Sequence, residues 1–214
     1  MKKLLLHICC GPCSTPVISN LSPEFEVAGF YYNPNIFPET EFVSRLDSAK
    51  KVAQFNGIKL IVPDHSAVIP AEAGIYINKS RGLDSRFCGN DEKERGNNKR
   101  GWKNSNDYES YLRFIGGTKQ KPERCFLCYR QRLEKTAGFA KKNGFDAFST
   151  TLLISPFQFH EELKKIGEEI AKEYGIDFHY QDFRALYKES REISKELGLY
   201  LQKYCGCRFS RRRK

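Results

Sequence analysis

The stretch LLLHICCGPC, residues 4–13, joins the first predicted strand to the first candidate site. Leu4 to Ile8 form a short, nearly continuous apolar run, which predicts a buried strand of a parallel sheet. Cys9 follows this run directly. Ligands of parallel α/β sheets bind at the carboxyl ends of the strands, so the cysteines occupy a position at which such a sheet builds its site.

Strands and helices alternate along most of the remaining chain. Further strands are predicted at residues 26–32, 59–62, 147–153 and 178–180, and helices at residues 15–21, 39–56, 107–114, 126–142, 159–174 and 190–197. This alternation predicts one α/β domain, residues 1–214, with a parallel sheet and helices on both faces. The expected inner face of the second helix is Phe42, Leu46, Ala49, Val52, Ala53 and Phe55, and that of the fourth is Leu133, Ala137 and Ala140, with basic residues outward.

Residues 66–106 break this alternation. The segment is rich in Gly, Asn, Arg, Lys and Asp, shows no sustained period, and resembles the translated palindromic repeats inserted in some bacterial reading frames. It is interpreted as an inserted mobile loop, with a functional lid as the alternative. Cys88 lies inside it and is expected to be incidental.

The composition limits the classes of partner and compartment. The 214 residues carry 36 Lys plus Arg against 26 Asp plus Glu, a net charge of +10. Such a surplus fits a nucleic-acid partner or a merely soluble basic protein. The start MKKLLLHICC lacks the features of a secretory signal and no apolar run is long enough to span a bilayer, so a cytoplasmic protein without a membrane partner is expected. Eight cysteines in that compartment favour metal or redox chemistry over a disulfide framework.

Two pairs of cysteines form a candidate metal site. Cys9 and Cys10 end the first strand, while Cys125 and Cys128 begin the helix 126–142, where the helix dipole stabilises thiolates. Four thiolates suit tetrahedral zinc or an iron–sulfur cluster. A CxxC pair favours zinc and adjacent cysteines favour it less, so the spacing leaves both metals open.

Cys205 and Cys207 form a separate pair around Gly206. Two cysteines one residue apart can close a small strained disulfide, the labile kind that serves catalysis. The alternative is that they are two further metal ligands.

Five segments, taken together, resemble the QueH-type epoxyqueuosine reductases. They are HICCGPC (7–13), YYNPNIFP (31–38), ERCFLCYRQRLEKTA (123–137), FSTTLLISPFQ (148–158) and YCGCRFS (204–210). The resemblance implies a HUP/Rossmann-like α/β fold and the reduction of epoxyqueuosine to queuosine at the wobble base of tRNA. The long polar segment 66–106 departs from the family pattern.

The resemblance also implies roles for the cysteines. The ligands of a [4Fe-4S] cluster match Cys9, Cys10, Cys125 and Cys128. The redox-active pair of the family matches Cys205 and Cys207, and an unidentified electron donor would keep this pair reduced. A second, mononuclear iron would draw on Cys13 and the C-terminal thiols.

Several other side chains are candidates of lesser weight. His7 is interpreted as a core histidine rather than a proton donor, and Thr150, Thr151 and Ser155 as lining of a substrate pocket. Tyr129 and Arg132 are candidates for contact with a flipped nucleotide or for ordinary helix surface. Phosphate contacts are expected from Arg130, Arg132, Lys135, Lys141, Lys142 and the tail 208–214.

Two other classes of protein are weighed against this one. A tRNA-thiolating ATP pyrophosphatase of similar fold would carry a Ser-Gly-Gly-x-Asp-Ser phosphate loop where this chain reads CCGPCS. A zinc-stabilised nucleic-acid-binding module without catalysis remains the alternative function.

Overall fold

The computed structural model describes residues 1–63, 74–76 and 105–211. Cys88, most of the predicted insertion 66–106 and tail residues 212–214 lie outside the described residues. Within the described part of the chain, no helix combines the length and apolar character that crossing a membrane requires.

A six-stranded sheet forms the centre of the fold. Its strands are β1 (Lys2–His7), β2 (Phe25–Phe30), β3 (Lys59–Val62), β4 (Gly74–Tyr76), β5 (Ala147–Thr150) and β6 (Asp177–Phe178). They follow the order β4-β3-β2-β1-β5-β6, and every neighbouring pair is parallel except the antiparallel edge pair β3–β4. Leu4, Leu5 and Leu6 of β1 are all fully buried, as expected for a central strand covered on both faces.

Among the described residues, six α-helices cover the sheet. They are α1 (Thr15–Leu21), α2 (Glu39–Phe55), α3 (Ser105–Phe114), α4 (Glu123–Lys142), α5 (His160–Tyr174) and α6 (Tyr187–Glu196). The order runs outward from β1 to β3 and then reverses through β5 to β6. Because parallel crossovers are right-handed, this reversal places α1 and α2 on one face and α4 and α5 on the other. The predicted parallel α/β fold with helices on both faces is confirmed.

Two details of the predicted pattern are wrong. Phe55 is 62% exposed instead of facing the core. It lies nine residues after Leu46, which is about 180° around a helix of 3.6 residues per turn. The strand predicted to reach Leu153 ends at Thr150, and Thr151–Ile154 form a 3-10 turn. That turn brings Thr151 beside the end of β1.

Candidate metal and redox site

The site begins where β1 and β5 end side by side, at the point where the strand order reverses. Thr151 holds Cys9 there, because its hydroxyl accepts the Cys9 N–H at 3.1 Å and donates to Cys9 Sγ at 3.3 Å. His7 is fully buried and shares a hydrogen bond of 2.9 Å with Thr150. It therefore has the character of the core histidine expected from the sequence.

Cys9, Cys10 and Cys13 form one compact group. Their sulfurs all lie within 4.8 Å of one another, and the sulfurs of Cys9 and Cys10 are 3.6 Å apart. Gly11 allows this turn to pack against α2, since a Cβ there would lie 2.6 Å from the carbonyl oxygen of Ser48. Three sulfurs this close can hold a metal ion.

These three thiols change one another's pKa values. Hydrogen bonds from Cys10, Cys13 and Thr151 lower the pKa of Cys9 well below its usual value, although burial opposes them. Burial raises the pKa of Cys10. Cys9 is therefore the natural thiolate of the group, and a cation would be needed to deprotonate its neighbours.

Cys125 and Cys128 lie in the first turns of α4, as predicted. Cys128 is buried in an apolar cluster with Cys207 and Tyr111, a residue of α3. Burial, aided by the nearby Cys205 and Cys207 and opposed by Arg132, raises the pKa of Cys128 to about 12. These two α4 cysteines and the tail cysteines are therefore electrostatic neighbours.

Cys205 and Cys207 have different surroundings. Cys205 is exposed and lies 2.9 Å from the hydroxyl of Ser210, whereas Cys207 is 3% exposed and lies 3.4 Å from the hydroxyl of Tyr111. All cysteines in the described part of the chain are free thiols. The structure thus presents this pair in the dithiol form.

A buried arginine of α2 holds the tail against the site. Arg45 donates through Nη2 to the carbonyl of Tyr204 at 2.7 Å and through Nη1 to that of Cys205 at 3.3 Å, while Nε pairs with Glu41 at 2.8 Å. Gly206 adopts φ +104°, and a Cβ there would meet Ile36 at 2.9 Å. Only glycine fits this turn without strain.

Gln202 connects the tail to the first cysteine group. Its Nε2 donates to Cys10 Sγ at 2.9 Å and lies 3.7 Å from Cys13 Sγ. The chain therefore brings the C-terminal segment into contact with both pairs of predicted ligands: the first through Gln202 and the second through Cys207.

Tyr129 and Arg132 are buried, so the alternative that assigned them to ordinary helix surface is wrong. Their contact with a flipped nucleotide stays a prediction. Tyr129 is 1% exposed and donates to Gln158 Oε1 at 2.8 Å; Arg132 is 5% exposed. Both lie one turn or less beyond Cys128, on the face of α4 that packs inward. Leu133 lies on that inward side as predicted.

The expected phosphate-binding face of α4 is also largely occupied. Arg130 pairs with Glu134, Glu169 and Glu173 at 3.0–3.2 Å, and Lys141 donates to the carbonyl of Gly175 at 2.7 Å. The three glutamates offset the charge of Arg130 that a polyanion would meet, and the carbonyl oxygen of Gly175 holds the Lys141 ammonium.

Arg45, Gln202 and Tyr111 were not among the site residues predicted from the sequence. Arg45 carries one signal in retrospect, since it lies three residues after Phe42 on the inner face of α2. Gln202 and Tyr111 have no such signal, because their partners are more than 90 residues away in the chain.

The chain matches the family model described as epoxyqueuosine reductase QueH over residues 4–88 and 86–213. It is similar to proteins of that name from Dehalococcoides mccartyi, 32% identical over 97% of this chain and 92% of the relative, and from Thermotoga maritima, 32% identical over 98% and 91%. A relative of the same name from Acinetobacter baylyi is 31% identical over 98% of this chain and 81% of its own length. The chain belongs to the epoxyqueuosine reductase QueH family.

Proposed function

We propose that this chain reduces epoxyqueuosine to queuosine at the wobble base of tRNA in the cytoplasm. The family membership supports the reaction, and one observation supports its assignment to these residues. The Cys205–Cys207 turn is clamped by Arg45 against a site where Cys128, Cys207 and Tyr111 share one buried cluster. A dithiol and a set of metal-ligating thiols thus lie together in one domain.

Cys9, Cys10, Cys125 and Cys128 are the proposed ligands of a [4Fe-4S] cluster. The donors suit such a group because all four are thiols, and Cys10 and Cys128 are buried. Of the four, Cys9 and Cys10 belong to the compact group of sulfurs, in which Cys13 is the third member. When bound, the cluster supplies electrons one at a time. Cys13 and the C-terminal thiols remain as candidate ligands of a second, mononuclear iron.

The dithiol accounts for the electron balance of the reaction. Converting an epoxide to an alkene with release of water requires two electrons and two protons. Oxidation of the Cys205 and Cys207 thiols to a disulfide supplies both. Two S–H bonds and the two C–O bonds of the epoxide break, while one S–S bond, the second bond of the alkene and the two O–H bonds of water form. A separate electron donor then returns the disulfide to the dithiol. The exposure of Cys205 gives such a donor access.

Binding of tRNA is proposed to depend on the basic tail more than on α4. Arg208 and Arg211 are exposed beside the cysteine turn, whereas Arg130 is engaged by three glutamates. Lysine and arginine contacts to phosphates release counterions, so affinity should fall as salt rises. An affinity independent of salt would contradict this assignment.

The test is anaerobic purification followed by turnover of tRNA that contains epoxyqueuosine. We expect iron, acid-labile sulfide and broad visible absorption, and formation of queuosine over many cycles. The C205S/C207S variant should keep the visible absorption and lose multiple turnover. The matched control is C88S, which removes a thiol that the family motifs do not include and should leave both unchanged.

The second candidate is a zinc-stabilised nucleic-acid-binding module without catalysis. It is favoured by one observation, the spacing of Cys9, Cys10 and Cys13 within 4.8 Å, which suits a single ion. A colourless protein that contains zinc and never forms queuosine would replace the reductase by this function. Normal multiple turnover by the C205S/C207S variant would instead remove only the dithiol role and leave the reductase in place.

A further inference from the structure

Arg132 is a buried cation next to the proposed cluster ligands. It lies on α4 one turn beyond Cys128, is 5% exposed, and donates through Nε to the carbonyl oxygen of Cys128 at 3.1 Å. Residues four apart share a face of a helix, so the guanidinium lies on the same side of α4 as the Cys128 sulfur.

No carboxylate lies within 4.0 Å of the Arg132 guanidinium among residues 1–63 and 108–211, whose side chains the structure describes. The similarly buried Arg45 binds Glu41 at 2.7 Å, and the more exposed Arg130 on the same helix binds three glutamates. Arg124, at the start of α4, is also buried and donates to the carbonyl oxygen of Lys119. An unpaired charge is rarely kept in a protein interior, because its loss of hydration is offset only by a nearby anion.

The groups around Arg132 indicate which anion offsets its charge. Burial by itself lowers the pKa of Arg132, but the charges of Cys128, Cys9 and Cys205 together with Tyr129 outweigh it and raise the pKa. These cysteines come from α4, from the end of β1 and from the tail. The guanidinium is thus the cation that both pairs of proposed ligands have in common.

We propose that Arg132 is the counter-charge of the thiolate-ligated cluster and raises its reduction potential. Arg132 is a positioning residue, because it acts on the cluster through the Cys128 ligand and through its own electrostatic field. This inference rests on the cluster assigned under the proposed function. A cluster bound by thiolates is anionic and gains a further negative charge on reduction. A fixed positive charge in a buried, poorly screened site therefore stabilises the reduced form more than the oxidised form.

The experiment compares R132Q, R132M and R132K with the wild-type protein, all reconstituted anaerobically. Iron and sulfide contents are measured first. The midpoint potential is then measured by dithionite titration followed by visible absorption and electron paramagnetic resonance. For R132Q and R132M we expect at least a tenfold loss in the equilibrium constant of one-electron reduction, which corresponds to a potential lower by about 59 mV. R132K keeps the charge and should lie closer to the wild type.

R130Q is the matched control. It removes an arginine from the same helix whose charge is already balanced by glutamates, so its potential should equal that of the wild type. If R132Q or R132M binds the cluster with an unchanged potential, or if R130Q shifts it equally, the inference is wrong. If neither R132Q nor R132M assembles a cluster, R132K decides the question. A cluster in R132K supports the need for a positive charge at this position, and the absence of a cluster in R132K contradicts the inference. A wild-type protein without iron would overturn the proposed function itself, and the inference with it.

Discussion

Replacing Arg45 by methionine removes the side chain that ties α2 to the C-terminal cysteine turn. The guanidinium is 2% exposed, pairs with Glu41 at 2.7 Å and donates to the carbonyls of Tyr204 and Cys205. Methionine fills much of the same volume without a donor. R45M therefore leaves one carboxylate and two carbonyls without their charged partner in a buried site.

The expected loss in the free energy of unfolding follows from these partners of Arg45. Breaking a buried ion pair by removing one member costs about 3–5 kcal/mol, because the remaining charge is uncompensated. For a chain of this size each kcal/mol lowers the melting temperature by about 2–4 °C, so R45M should melt roughly 6–20 °C lower. Release of the turn should also speed the alkylation of Cys207, which is 3% exposed in the native protein.

Two variants control this prediction. R113M removes an exposed arginine of α3 and should change the free energy of unfolding by less than about 0.5 kcal/mol. E41Q/R45M removes both charges, so it should be more stable than the sum of the single changes predicts. Thermal and urea unfolding measure the free energies, and timed alkylation with mass spectrometry measures the thiol. A loss below about 1 kcal/mol in R45M, or strict additivity in the double variant, would refute the reasoning.

Other predictions concern packing around the helices. G167A should destabilise the protein by about 1–3 kcal/mol, because the new Cβ would lie 2.3 Å from the ring of Phe178. G138A, also within a helix, meets only the ring of Tyr174 at 3.1 Å and should be neutral or gain up to about 1 kcal/mol from helix propensity; equal effects of the two changes in urea unfolding would contradict this contrast. F55S should cost less than about 0.5 kcal/mol, since the ring is 62% exposed, and a loss above 2 kcal/mol would show that the ring is buried.

Local patterns identified most of the secondary structure. The boundaries of α1 and β3 agree with the prediction to the residue, and the other predicted strands and helices differ at one or both ends by a few residues. Strand β4 was not predicted, since it lies in the segment interpreted as an inserted loop. Apolar period and terminal glycines act over one or two turns, so they can be seen in the sequence alone. Phe55 shows the limit of the method, because one apolar residue near a helix end can lie on either side of the predicted stripe.

In the candidate site, too, local features were predictable from the sequence and long-range contacts were not. The sequence alone determined that Cys9 and Cys10 end a central strand, that Cys125 and Cys128 begin a helix, and that Cys205 and Cys207 flank a glycine. Short spacings and helix starts are local properties. The tertiary structure alone decided which thiols are neighbours: Cys13 joins Cys9 and Cys10, and Cys207 joins Cys128.

The same division explains the charged residues. Arg130 and Arg132 are two positions apart and look alike in the sequence, where both belong to a basic helix. One pairs with glutamates of α5 on the surface, and the other is buried beside the cysteines. Two positions that are two residues apart are rotated by about 200° around the helix axis, so they lie on nearly opposite faces. Only the packing of α4 on β1 and β5 decides which of these faces is buried.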